Sequence, residues 1–98
     1  MPDNLQLREQ TMFHVPDDVL ARRAAGETVL LNLADEQYYG LDEVGGRAWE
    51  LIEAGHSFGE LVDVMLDAYD VERSVLTRDL TAMLSELIEL GIVSVDEP

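Results

Sequence analysis

Cysteine is absent from the 98-residue chain, which excludes disulfides and thiolate metal sites. Lysine is absent too, so every side-chain cation is one of six arginines, set against 21 Asp and Glu for a formal charge of -15. That charge repels phosphate backbones and anionic lipid surfaces, and neither nucleic acid nor membrane is an expected partner. No apolar run approaches the roughly 18 residues of a membrane-spanning helix. No basic start followed by an apolar stretch suggests export either, so the expected location is the cytoplasm. Histidine is scarce: His14 and His56 stand in different irregular segments, with no second His or Cys at a ligand spacing such as H-x-x-x-H. No metal or other cofactor is expected. No G-x-S-x-G elbow is present, and Gly45-Gly46 lacks the spacing and the Lys of a phosphate loop. A chain with no catalytic constellation points to binding rather than to an enzyme.

What the chain does have is apolar content, 47 % of its residues, in patterns that change period halfway along. Its length fits one domain. Residues 1–18 mix charges with isolated apolar positions and read as an extended N-terminal segment ahead of a domain over residues 19–98. Val19 to Arg23 is a short strand, Ala25-Gly26-Glu27 a turn, and Thr28 to Leu33 a second strand of β-branched and apolar residues. Ala34-Asp35-Glu36 turns the chain into a third strand, Gln37 to Leu41, favoured by its paired tyrosines.

From Asp42 the period becomes 3.6. Asp42 can N-cap a helix with Val44, Ala48, Leu51 and Ile52 on one stripe and Trp49 beside it, ended at Ala54-Gly55. Gly45-Gly46 costs that helix about 1 kcal/mol per residue against Ala, so close backbone packing is expected there. Ser57-Phe58-Gly59-Glu60 is a capping box, followed by the stripe Phe58, Leu61, Val62, Met65, Leu66, Tyr69. A third helix runs from about Arg73 to Leu90 with Leu76, Leu80, Met83, Leu87 and Leu90 in one stripe, widened by Leu84 and Ile88, and Gly91 stops it. Ile92 to Val95 adds a short extended tail. The expected class is α+β, a three-stranded antiparallel meander followed by three helices.

An open sheet edge can accept an extended peptide as an added strand. Gln37 to Leu41 carries no charge, no Pro and no Lys, the devices that usually blunt an edge, and it offers Tyr38 and Tyr39 to cover apolar side chains. By alternation Tyr39 shares a face with Leu41 and is expected to belong largely to the core. The carboxylates Glu50, Glu53, Glu60, Asp63 and Asp67 fall opposite the apolar stripes and read as solvated faces.

Val29-Leu30-Leu31-Asn32, then Tyr39-Gly40-Leu41-Asp42-Glu43-Val44-Gly45, then Ala48-Trp49-Glu50-Leu51-Ile52 resemble the PqqD-like family, whose pattern runs V-L-L-D, Y-x-x-L-N, V/T-G, W-E-L. Leu61-Val62, Tyr69-Asp70-Val71, Asp79-Leu80, Met83-Leu84, Leu87 and Gly91-Ile92-Val93 continue the resemblance, which covers about Val19 to Val93. Asp42 stands where the family often has Asn, and Met83 where Phe is frequent.

The resemblance implies a winged helix-turn-helix-like fold. It also implies a recognition element for ribosomally synthesised and post-translationally modified peptides (RiPPs), a domain that binds the leader segment of a precursor peptide. The leader would add a strand beside the third strand, in a groove walled by the third helix. By position the implied peptide-binding residues are Gln37, Tyr38, Tyr39, Gly40 and Leu41 on the strand, with Val75, Asp79, Ala82, Met83 and Glu86 on the helix. Implied partners are the precursor leader peptide together with a leader peptidase and a cyclase, or another modifying enzyme, in lasso-peptide biosynthesis. The alternatives are a peptide chaperone for a radical enzyme in pyrroloquinoline quinone synthesis, or a winged-helix transcriptional regulator. The last needs a basic reading helix, yet the third helix region sets Arg73 and Arg78 against Glu72, Asp79, Glu86 and Glu89.

Overall fold

The computed structural model describes residues 7–96, so the first six residues of the expected extended segment lie outside the described residues. The order of elements is β1 (Met12–His14), β2 (Val19–Ala24), β3 (Glu27–Asn32), β4 (Gln37–Leu41), α1 (Glu43–Glu53), α2 (Phe58–Ala68), α3 (Arg73–Glu89) and β5 (Ser94–Asp96). Strands β2, β3 and β4 form an antiparallel meander in that order, and the three helices follow it. The third strand of the sequence reading is therefore β4.

Two turns set the meander. Ala25 and Gly26, both at positive φ (56° and 82°), form the two-residue connection of β2 to β3, a conformation that suits the twist of a hairpin. The next connection is longer. Asn32 Oδ1 accepts from the Ala34 N–H at 3.0 Å, which bends the chain one residue before the expected strand end and leaves Leu33 outside β3. Glu36, at φ 61°, closes that loop.

Helix α1 begins as the sequence indicates: Asp42 caps it, its side chain accepting from the Gly45 N–H at 2.8 Å. Of the expected stripe, Ala48, Leu51 and Ile52 are buried together with Trp49, whereas Val44 remains 37 % exposed and Gly45 and Gly46 are buried beside them. The glycines carry no apolar side chain to mark the stripe, and they turn the helix so that its backbone lies on the sheet. A Cβ at Gly46 would stand 2.6 Å from Thr28 Oγ1 on β3, the close approach that accounts for the helix-weakening pair.

Helix α2 carries the full capping box: Ser57 Oγ accepts from the Glu60 N–H while the Glu60 carboxylate accepts from the Ser57 N–H. Its first N–H groups are satisfied from outside the helix, Phe58 donating to the Thr11 carbonyl and Gly59 to the Glu9 carbonyl, both at 2.9 Å. The segment before β2 thus docks on the start of α2, with Phe13 edge-on to Phe58 and Thr11 buried. Strand β1 pairs antiparallel with β5, so the tail reaches back to the N-terminal segment and Ile92 and Val93 lie in the core.

The core sits between the inner face of the sheet and the helices. Trp49, Leu30, Leu61, Met65, Leu84 and Leu87 are fully buried, each large apolar side chain stabilising the fold by roughly 1.5–3 kcal/mol. On α3 the seam is Leu76, Leu80, Leu84 and Leu87, and Met83, Ile88 and Leu90 are half-buried at its margins. Leu66 and Tyr69 are likewise half-buried on the α2 side. The pairs Arg23–Glu50 and Arg73–Asp63 tie β2 to α1 and the start of α3 to α2.

Candidate functional site

The direction of the free hydrogen-bonding groups on β4 follows from the hairpins. The two-residue turn makes Ala24 and Glu27 a hydrogen-bonded pair, and Leu33 donates to the Asp18 carbonyl at 2.8 Å, so odd-numbered residues of β3 face β2. Even-numbered ones then face β4, where Thr28 pairs with Leu41, Leu30 with Tyr39 and Asn32 with Gln37. The backbone N–H and C=O of Tyr38 and Gly40 are left on the open edge. Side chains alternate as well: Tyr39 and Leu41 lie on the helix side with Leu30 and Thr28, and Tyr38 lies on the outer face with Leu31.

Beside this edge lies a cavity of about 560 Å³. Tyr39, Gly40 and Leu41 line it from β4, Asp42, Val44 and Gly45 from the start of α1, Tyr69, Asp70 and Val71 from the α2–α3 turn, and Leu76, Asp79, Leu80 and Met83 from α3. Val44 and Met83, which lie off the fully buried seams, present apolar side chains to the cavity. Met83 packs close to α1, its Sδ 3.1 Å from the Cβ position of Gly45. The carboxylates of Asp42, Asp70 and Asp79 bring negative charge, and no Arg lines the cavity.

Tyr39 is half-buried, with its hydroxyl donating to Glu86 Oε1 at 2.7 Å, so it joins β4 to α3 rather than being wholly core. The hydrogen bond to Glu86, with smaller contributions from burial and the Glu86 charge, raises the Tyr39 pKa above its ordinary value. Of the residues singled out in the sequence, Tyr39, Gly40, Leu41, Asp79 and Met83 meet around the cavity, and Glu86 touches Tyr39. Gln37 and Tyr38 are exposed on the strand, Val75 is half-buried, and Ala82 is exposed. None of these four lines the cavity. Val44, Gly45 and the turn Tyr69-Asp70-Val71 were assigned by sequence to helix stripes or to a connection. The signals in the sequence were an apolar residue two positions after the Asp42 cap at a strand end and the presence of both segments in the family resemblance.

Among the described residues no three His, Asp or Glu side chains stand close enough to share a metal ion, and no helix is long and apolar enough to cross a membrane. What the site offers is unpaired backbone along a strand, an apolar hollow on the helix side of it, and a rim of carboxylates.

A small antiparallel meander whose edge strand β4 lies beside a helix-walled hollow is an arrangement able to accept an added strand. The model of the family described as Coenzyme PQQ synthesis protein D (PqqD) matches residues 27–93, and the chain belongs to this family. Two solved structures are similar. One, "TbiB1 in Complex with the TbiA(beta) Leader Peptide", is 36 % identical with a TM-score of 0.77, over 82 % of this chain and 93 % of that one. The other, "Lasso peptide synthetase B1 complexed with the leader peptide", is 23 % identical with a TM-score of 0.71, over 84 % and 96 %, and shares the fold. No curated protein matches the chain.

Proposed function

We propose that this protein is a non-catalytic recognition element for the leader segment of a ribosomally made precursor peptide, which it captures by strand addition to β4. The observation that carries the reading is the orientation of Tyr38 and Gly40, whose N–H and C=O groups lie on the open edge, with Gly40 beside the cavity between β4 and α3. Gln37 to Leu41 supply the backbone register. Met83, Val44 and Leu80 receive an apolar anchor, Asp79 borders it, and Glu86 holds Tyr39 in place; Val75 and Ala82 lie on the same helix outside the cavity lining. Affinity then comes from backbone pairing and one or two buried anchors, less the cost of ordering the peptide.

The leader peptide in the 36 %-identical structure supports leader capture, and the proposal extends this to delivery of the leader to a leader peptidase and a cyclase of lasso-peptide synthesis. The family match also keeps a second reading in view, a peptide chaperone for a radical enzyme in cofactor synthesis. The genes beside this one discriminate between the two. The test of the site is hydrogen exchange on the full chain with the leader encoded next to it. Protection of the Tyr38 and Gly40 amides is expected on binding, and two amides that stay unprotected in a saturated complex overturn the proposed edge.

A further inference from the structure

Gly40 is not explained by the domain that contains it. It lies inside a strand, where glycine costs about 0.5–1 kcal/mol against Ala, yet its φ is outside the left-handed region and a Cβ built on it meets nothing within 4 Å. Glycine in a strand interior otherwise marks a place where a ligand or a second backbone comes close. Gly40 faces outward in both senses: its N–H and C=O lie on the open edge, and its missing side chain belongs to the outer face of the sheet, away from the cavity.

The surroundings on that face are apolar and uncovered. Register places Arg22, Val29 and Gly40 in one cross-strand row and Leu20, Leu31 and Tyr38 in the next. Val29 is 37 % exposed and Tyr38 76 % exposed. A strand added along β4 puts one residue directly opposite Gly40, with its side chain on this outer face. Because Gly40 has no side chain between them, that residue can extend over the glycine to Val29, with Tyr38 as its diagonal neighbour at about 7–8 Å, within reach of an aromatic ring.

Building on the strand-addition reading, we infer that the bound peptide carries a large aromatic or long aliphatic residue opposite Gly40. That residue lies flat over the glycine against Val29 and Tyr38, while its sequence neighbours point into the cavity on the other face. The protein therefore reads the peptide on both faces of the added strand, and its ligands have large apolar residues at consecutive or near-consecutive positions rather than on one face only. The edge glycine paired with an aromatic neighbour is a known way to stabilise a sheet.

The probe is the tightest binder selected by the full chain from a displayed library of random dodecapeptides, synthesised and added to isotope-labelled protein. Cross-strand amide–amide contacts to the Gly40 N–H identify the paired peptide residue. It is expected to be large and apolar, and its replacement by Ala in the peptide should weaken binding at least about fivefold. Gly40→Val, whose side chain enters open space, should keep or raise the melting temperature and reduce the preference for the large residue over Ala to less than about twofold. A small or polar residue opposite Gly40, or a preference unchanged in Gly40→Val, overturns the inference while leaving strand addition intact. A bound peptide that protects neither the Tyr38 nor the Gly40 amide overturns both. If Gly40→Val fails to fold, the peptide-side substitution on the unaltered chain still decides the matter.

Discussion

Gly46 and Met83 show how single residues divide between holding the fold and shaping the site. An added methyl at Gly46 meets Thr28 Oγ1 at 2.6 Å, so Gly46→Ala is expected to destabilise the protein by about 1–3 kcal/mol despite the helix-favouring substitution. Denaturant unfolding measures it, and pairing it with Thr28→Ala should recover part of the loss, a coupling that a double-mutant cycle isolates. Met83 is half-buried beside the cavity, and truncation to Ala should cost about 1–2 kcal/mol, less than for a fully buried methionine. Met83→Glu places a charge where a peptide anchor must be desolvated and should weaken leader binding by more than about 1.5 kcal/mol. Calorimetric titration and melting of the same variants separate the two roles. A leader affinity unchanged in Met83→Glu removes Met83 from the groove.

For the elements, the decisive feature is that neighbouring residues on β4 face different ways. Gly40→Pro deletes an outward donor and leaves the ladder with β3 intact, so it is expected to abolish leader binding in a folded protein. Tyr39→Pro deletes a donor that faces β3 and breaks the pairing with Leu30, so its main effect should be lost stability. Circular dichroism melts with a binding assay on both variants check the pattern; equal stability of the two variants contradicts the deduced edge orientation. The start of α2 has its own signature in pH. The backbone N–H of Ser57, with help from His56, holds the Glu60 carboxyl below its ordinary value. Its contribution to helix capping is therefore present above the unfolded value and lost as the pH falls through the lower folded one. The Ser57 amide shift should follow this titration, and Glu60→Gln should abolish it.

Across the whole molecule the charge of -15 sets behaviour that no single contact reveals. Self-repulsion at this charge opposes compaction, so the melting temperature should rise as salt is increased from about 50 to 300 mM, where the screening length falls to single ångströms. A melting temperature that falls over this range contradicts the argument. Duplex DNA offers this surface no counterion-release energy, because that requires clustered cations, and gel-shift titration at low salt should show no complex. A stable complex would return the winged-helix regulator to consideration.

Much of this protein was determined by its sequence alone, because the information was local. Hydrophobic periodicity and capping chemistry defined the three meander strands, the Asp42 and Ser57 caps and the stop at Gly91, and family resemblance pointed to the edge at Gln37 to Leu41. Long-range packing decided the rest. The stripe of α1 turned on glycines, which leave no mark in an apolar pattern until Thr28 is seen against Gly46. Val44 and the Tyr69-Asp70-Val71 turn joined the site only because segments distant in sequence meet around one cavity. Likewise, the outward aim of Gly40 depended on the parity of two hairpin turns, which fixes register across strands and has no signature along one.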